Sequence, residues 1–186
     1  SGTSLNTRIS SASFINNDTL LVSRSCDRGA GSSGTVDCYS LYGINVVTGK
    51  REALIRAKQT STGQGVRYPS LFDSMPQYPN KIIITMNRMP QFPWRFRDLY
   101  WLDLDTKQTT KIAEVPDIKN EWHQQWLIDH DGNARGFITN HDDRKDREPN
   151  GARDGLYTYV YLMDPKTKKY SRMASCKHQE PCFMPL

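Results

Sequence analysis

The sequence predicts an all-β fold built from about three similar four-stranded antiparallel units. Two observations carry that expectation. The first is a repeat: "LYGINVVTGKREALI" from Leu41, "LYWLDLDTKQTTKIAEV" from Leu99 and "VYLMDPKTKKYSRMA" from Val160 align in columns. The columns are Leu41, Leu99 and Val160; Tyr42, Tyr100 and Tyr161; Ile44, Leu102 and Met163; Asn45, Asp103 and Asp164; and Thr48, Thr106 and Thr167, with the threonines 58 and then 61 residues apart. A period of that size is the signature of stacked supersecondary units. The second is an absence: no stretch of ten or more residues carries apolar positions at helical spacing, so helix is not expected.

Each aligned stretch reads as a hairpin, two β-rich runs around a polar turn. A second strand pair precedes each one. In the first unit "SASFI" passes the turn "NND" into "TLLVSRS"; in the second "YPSLF" leads through "QYPN" to "KIIITMNR"; in the third "QQWLI" crosses "DHDGN" into "ARGFITN". Asn, Asp, Gly and Pro punctuate these runs, which is turn chemistry. The strands of a unit are therefore A, B, C and D, with blades at about residues 11–56, 68–115 and 122–174 of one domain and a Cys-containing tail at 175–186.

Four antiparallel strands repeated without helices is the pattern of β-propeller blades. A twelve-strand β-sandwich is the competing arrangement, but it gives no reason for a tyrosine to recur in register. Propellers close with at least four blades, so three leave edges and faces without a neighbour. The expectation is thus a partial propeller, whose isolated chain either self-associates, with a six-bladed dimer as one way to close, or has marginal ends.

Composition fits a globular chain, with 37% apolar and 24% charged residues among 186. No apolar run is long enough to cross a membrane as a helix, so a membrane partner is not expected. The net charge is +5, but Lys and Arg alternate with acids, which favours a solvated surface over a nucleic-acid partner. The first ten residues lack an initiator Met and an apolar signal core, as in a trimmed or processed chain. Four cysteines form two local pairs, Cys26 with Cys38 and Cys176 with Cys182. Disulfides, and with them a periplasmic or secreted setting in preference to the cytoplasm, are one reading. The other is metal ligation by Cys176, His178 and Cys182, which lacks a second pair at zinc spacing; no metal or cofactor is expected.

The units differ most between strands B and C, where they read "CDRGAGSSGTVDC", "MPQFPWRFR" and "HDDRKDREPNGARDG". In a propeller these connections emerge on one face, where functional loops collect. The second loop interleaves Phe92, Trp94 and Phe96 with Arg95 and Arg97, a set suited to peptide carboxylates, to stacking on a partner domain or to single-stranded nucleic acid. The alternative is that the rings fold back over the blade end.

"PSLFDSMPQYPNKIIITMN", then "RDLYWLDLDTKQTTKIAEV", then "WLIDHDGNARG" together resemble the N-terminal propeller of bacterial prolyl oligopeptidase-family serine peptidases, which include dipeptidyl and acylaminoacyl peptidases. The resemblance runs from about Phe14 to Met173. It implies a propeller that shields an α/β-hydrolase domain and admits short peptide substrates. The nucleophile elbow G-x-S-x-G of such a domain does not occur in the 186 residues, so this chain by itself is not expected to be the enzyme and carries no catalytic residue. A stand-alone propeller used for binding or protein interaction is the alternative.

Three further motifs have plainer explanations. "GAGSSG" at Gly29 matches the dinucleotide pattern in letters, but a strand and not a helix follows it. "DHDGN" at Asp129 alternates carboxylates as a calcium loop does, yet lacks the closing Glu and suits a hairpin turn. His123, His130, His141 and His178 are expected in loops and turns, with no nucleophile context.

Overall fold

A computed structural model of the chain describes residues 7–26, 40–56, 69–87, 97–142 and 156–177. These residues form twelve strands and no helix. The first sheet holds β1 (Thr7–Phe14), β2 (Thr19–Cys26), β3 (Ser40–Asn45) and β4 (Arg51–Ile55). The second holds β5 (Pro69–Asp73), β6 (Lys81–Asn87), β7 (Arg97–Asp103) and β8 (Thr109–Ala113). The third holds β9 (Glu121–Ile128), β10 (Ala134–Asp142), β11 (Leu156–Met163) and β12 (Tyr170–Lys177). Each is an antiparallel meander in chain order, the A-B-C-D unit expected of the sequence. Contacts divide the described residues into two compact units, one up to Ile112 that holds the first two sheets except the last residue of β8, and one from Ala113 onward that holds the third.

The repeated columns have a local cause in the C–D turns. Asn45 Oδ1 accepts the N–H of Val47 at 3.1 Å and of Thr48 at 2.8 Å. Asp103 Oδ1 accepts those of Asp105 and Thr106 at 3.1 and 2.8 Å, and Asp164 Oδ1 those of Lys166 and Thr167 at 2.7 and 3.1 Å. The threonine hydroxyl then accepts the N–H two residues on, at 3.3 to 3.4 Å from Lys50, Gln108 and Lys169. The residue between lies in the left-handed region in all three turns: Gly49 at φ 70°, Lys107 at φ 60° and Lys168 at φ 58°. One Asx residue and one threonine thus mould the same four-residue hairpin loop each time.

The tyrosine column marks a ladder position. Tyr42 pairs with Val22, Tyr100 with Ile84 and Tyr161 with Phe137, in each case opposite an apolar residue of strand B. Because strand side chains alternate, this register sends Leu41, Leu99 and Val160 to the other face of each sheet, and all three are buried.

In the first unit the two sheets pack face to face. Leu21, Leu41 and Leu54 of the first sheet cluster with Ile82, Ile84, Met86 and Leu102 of the second, and Tyr100 and Leu104 join them. A bulge between Leu41 and Tyr42 places Leu54 over the gap above Gly43, where its methyls lie 3.6 and 3.7 Å from the position a Cβ would take. The third sheet has an aromatic interior instead. Phe137 meets Trp126 edge-on at 5.7 Å, stacks on Tyr161 at 4.9 Å and meets Tyr170 edge-on at 4.9 Å.

His123 and His141 lie in β9 and β10, not in loops as the sequence suggested. His123 is buried, its ring 5.2 Å from that of Trp126. The imidazole there is part of an aromatic layer, a role that loop polarity could not announce.

Candidate functional site

Antiparallel connectivity sorts each blade into two ends. The B–C connections lie at one end, and the A–B and C–D turns at the other. Of the residues the sequence singled out, Phe92, Trp94, Arg95 and Phe96 lie outside the described residues, as do the glycine-rich stretch at Gly29, Cys38, His178 and Cys182. Arg97 is described: it opens β7, is exposed and pairs with Asn87 in the ladder. Cys26 closes β2 and so stands at the start of the first B–C connection. Cys176, in β12 opposite Thr158, is disulfide-bonded.

The turn end of the first unit holds a cleft of about 270 Å³ between the first two blades. Its floor is apolar, with Leu54 and Leu104, and its walls carry Lys50, Glu52, Asn80 and Asp105. The repeated turns build it, because Asn45 and Asp105 belong to two copies of the same C–D loop. Lys107, held with positive φ, donates from Nζ to Glu52 of the neighbouring blade. That hydrogen bond and the lysine charge hold the Glu52 carboxyl below its usual range. Asn80 Nδ2 donates to Asp105 Oδ2 at 2.7 Å, which ties the A–B turn of the second blade to its C–D turn. Among the described residues the lining offers one ammonium and two carboxylates but no serine, cysteine or histidine, so it can hold a small polar group and shows no nucleophile–base pair.

The third sheet contains a second polar cluster. Glu121 is buried, and its two carboxylate oxygens accept from Thr139 Oγ1 at 2.5 Å and from the Tyr161 hydroxyl at 2.9 Å. Burial, then the bond to Glu121, pushes the Tyr161 phenol up to about 12. The phenol therefore stays a donor at neutral pH, and this is a satisfied interior network and not an acid–base pair open to solvent.

The Asp129–Asn133 segment is a turn. Asp129 Oδ1 accepts the N–H of Asp131 and of Asn133, while Oδ2 accepts from Arg135 Nε at 2.7 Å. Burial raises its pKa, but the bonds from Asn133 and Arg135 outweigh it and bring the carboxyl to about 2. Its oxygens are spent on the turn and the guanidinium, which is why the alternating acids do not make a cation loop.

Sequence reasoning did not find the cleft, the Lys107–Glu52 contact or the Glu121 cluster. The repeat columns were the available signal: a C–D turn that recurs in adjacent sheets must bring its polar residues near one end of the joint.

No protein-family model matches the chain. No curated protein matches it. Solved structures do resemble it. Acylaminoacyl peptidase from Pyrococcus horikoshii is 14% identical, over 94% of this chain and 26% of that one, with a TM-score of 0.50. The β-propeller domain of the trilobed protease from Pyrococcus furiosus is 11% identical, over 90% of this chain and 57% of that one, at 0.41. Oligogalacturonate lyase in complex with manganese is 12% identical, over 86% and 39%, at 0.43. The chain therefore spans less than two thirds of each of these proteins. At such identity the likeness to the acylaminoacyl peptidase is one of fold alone, and it agrees with the sheets described above: the chain is a partial β-propeller with four-stranded antiparallel blades.

Proposed function

We propose that the chain is the non-catalytic propeller portion of a prolyl oligopeptidase-like serine peptidase, where it shields the active site of an α/β-hydrolase domain and admits short peptides. The observation that carries this reading is the run of three A-B-C-D blades in a sequence whose pieces follow the family's order from Phe14 to Met173. The fold it shares with an acylaminoacyl peptidase supports it. In this reading Phe92, Trp94, Arg95, Phe96 and Arg97 contact peptide or the hydrolase domain from the B–C end. The disulfide-bonded Cys176 supports an oxidising, periplasmic or secreted setting.

The test is the full-length protein. The reading frame should continue into a G-x-S-x-G domain, and that protein should cleave short chromogenic peptides while the purified 186-residue chain does not. Trp94→Ala with Arg95→Ala in the full-length protein should raise KM for peptides about tenfold and leave kcat unchanged, the loss expected of one aromatic or guanidinium anchor. Peptidase activity in the isolated chain would overturn the reading.

The turn-end cleft favours a second reading, a stand-alone binding propeller. A reading frame that ends without a hydrolase domain, together with binding of a small polar ligand abolished by Glu52→Ala, would select it.

A further inference from the structure

The cleft between the first two blades owes its room to one missing side chain. In the repeat, the residue after the tyrosine is Gly43 in the first copy, Trp101 in the second and Leu162 in the third. Trp101 fills its place and meets Tyr78 of the preceding A–B turn edge-on at 5.3 Å. Gly43 fills nothing, and the cleft of about 270 Å³ lies over it.

The chain conformation does not demand a glycine there. Gly43 is ordinary strand, paired with Leu21 and Glu52, and is not one of the glycines at positive φ. Crowding does not demand it either, since a Cβ would sit 3.6 Å from the nearest atoms of Leu54 and Thr19, an ordinary contact. Glycine inside a strand weakens it, and marks places where a second backbone or a ligand comes close. The atoms nearest to this one are side chains of its own sheet, not a second backbone.

The walls carry charge in a fixed order. Glu52, beside Gly43 in the ladder, is neutralised by the hydrogen-bonded Lys107. One cation and one anion are left, on opposite blades. Lys50 of the first blade acts on Glu52 by charge alone, without a hydrogen bond, so its ammonium keeps its donors for a ligand. Asp105 of the second blade accepts from Asn80 through Oδ2, and its Oδ1 takes no hydrogen bond among the described residues. Leu54 and Leu104 supply the apolar floor.

We propose that this cleft binds a free α-amino acid with an aliphatic side chain. The ligand carboxylate meets the Lys50 ammonium, the ligand ammonium meets Asp105 Oδ1, and the side chain rests on Leu54 and Leu104 over Gly43. The volume lies just below the range of drug-sized pockets, which starts at about 300 Å³, and suits a molecule of that size. A zwitterion matches both wall charges, whereas a singly charged ligand would strip water from one of them without giving it a partner. The proposal rests on the second reading's cleft and names its ligand. The reading frame decides whether the propeller stands alone and titration decides the ligand, so each can fail by itself.

Isothermal titration calorimetry on the full-length protein tests it with three probes. L-leucine should bind at one site per chain. N-acetyl-L-leucine, which lacks the ammonium, and L-leucinamide, which lacks the carboxylate, should each bind about tenfold more weakly or worse, the scale of a hydrogen bond to a charged group. Lys50→Met should abolish the preference over L-leucinamide and keep that over N-acetyl-L-leucine, and Asp105→Asn should do the reverse. A mere loss of structure would weaken all three probes alike. Gly43→Leu gives the first blade the residue of the third; it should stay folded by circular dichroism and lose the site. No saturable binding of L-leucine, equal affinity for the three probes, or binding that survives Gly43→Leu overturns the proposal.

Discussion

The second and third blades share one backbone plan and fill it with different chemistry. At the same ladder position the second blade pairs Ile84 with Tyr100 and the third pairs Phe137 with Tyr161. Around them the second blade is aliphatic, with Ile82, Ile83, Ile84, Leu99 and Leu102 buried, whereas the third holds Trp126, His123 and the buried carboxylate of Glu121. Their C–D turns are nevertheless the same, bond for bond, from Asp103 to Gln108 and from Asp164 to Lys169. The difference teaches that the blade is specified by turn chemistry and by which positions point inward, while the interior tolerates any set of side chains that fills the volume and pairs its polar atoms.

The most damaging way to break this comparison is to empty each interior. Phe137→Ala should destabilise the second unit by about 4 kcal/mol, and Ile84→Ala the first by about 3 kcal/mol, on the scale of large-to-small core changes. Urea unfolding followed by intrinsic tryptophan fluorescence and by far-UV circular dichroism reads both. A cheaper Phe137 truncation would mean that the aromatic layer does not carry the third blade.

Next comes the polar network that only the third blade contains. Thr139→Val keeps the shape but removes a hydrogen bond to a buried carboxylate, a loss of about 2 kcal/mol. An unchanged urea midpoint would show that Glu121 is satisfied without it.

The third blade should also respond to pH at both extremes. Asp129 is depressed from 3.8 to about 2, so its contribution is complete above the unfolded value and is lost as pH falls from about 4 towards 2. Tyr161 is raised from 10.0 to about 12, so its contribution is complete below 10 and is lost as pH rises from there towards 12. Asp129→Asn should flatten the acid limb of the stability profile and Tyr161→Phe the alkaline limb. A limb that keeps its slope assigns the titration elsewhere.

The smallest effect sharpens the turn side of the comparison. Lys168 adopts φ 58° where the first blade uses Gly49, so Lys168→Gly should stabilise by about 0.5 kcal/mol, the relief of left-handed strain less the added freedom of the unfolded chain. Lys107→Gly should gain less, because it also removes the contact with Glu52. Equal gains in thermal midpoint would show that the contact contributes nothing.

What the sequence determined by itself is the set of hairpins. An Asx carboxyl or amide, a threonine three residues later and a residue that accepts positive φ settle a C–D turn within six residues, so each copy can be read as letters. Tyrosine in register was legible for the same reason, since a fixed turn fixes the ladder beside it. The site residues were less legible. The tertiary structure alone decided that Lys107 meets Glu52 across 55 residues, that Tyr161 meets Glu121 across 40, and that His123 joins an aromatic layer. It also decided that Leu54 packs in the joint between the first two sheets, where a bulge beside Leu41 places it. Those outcomes depend on the spacing and register of separate strands, and no local hydrogen-bond rule encodes them.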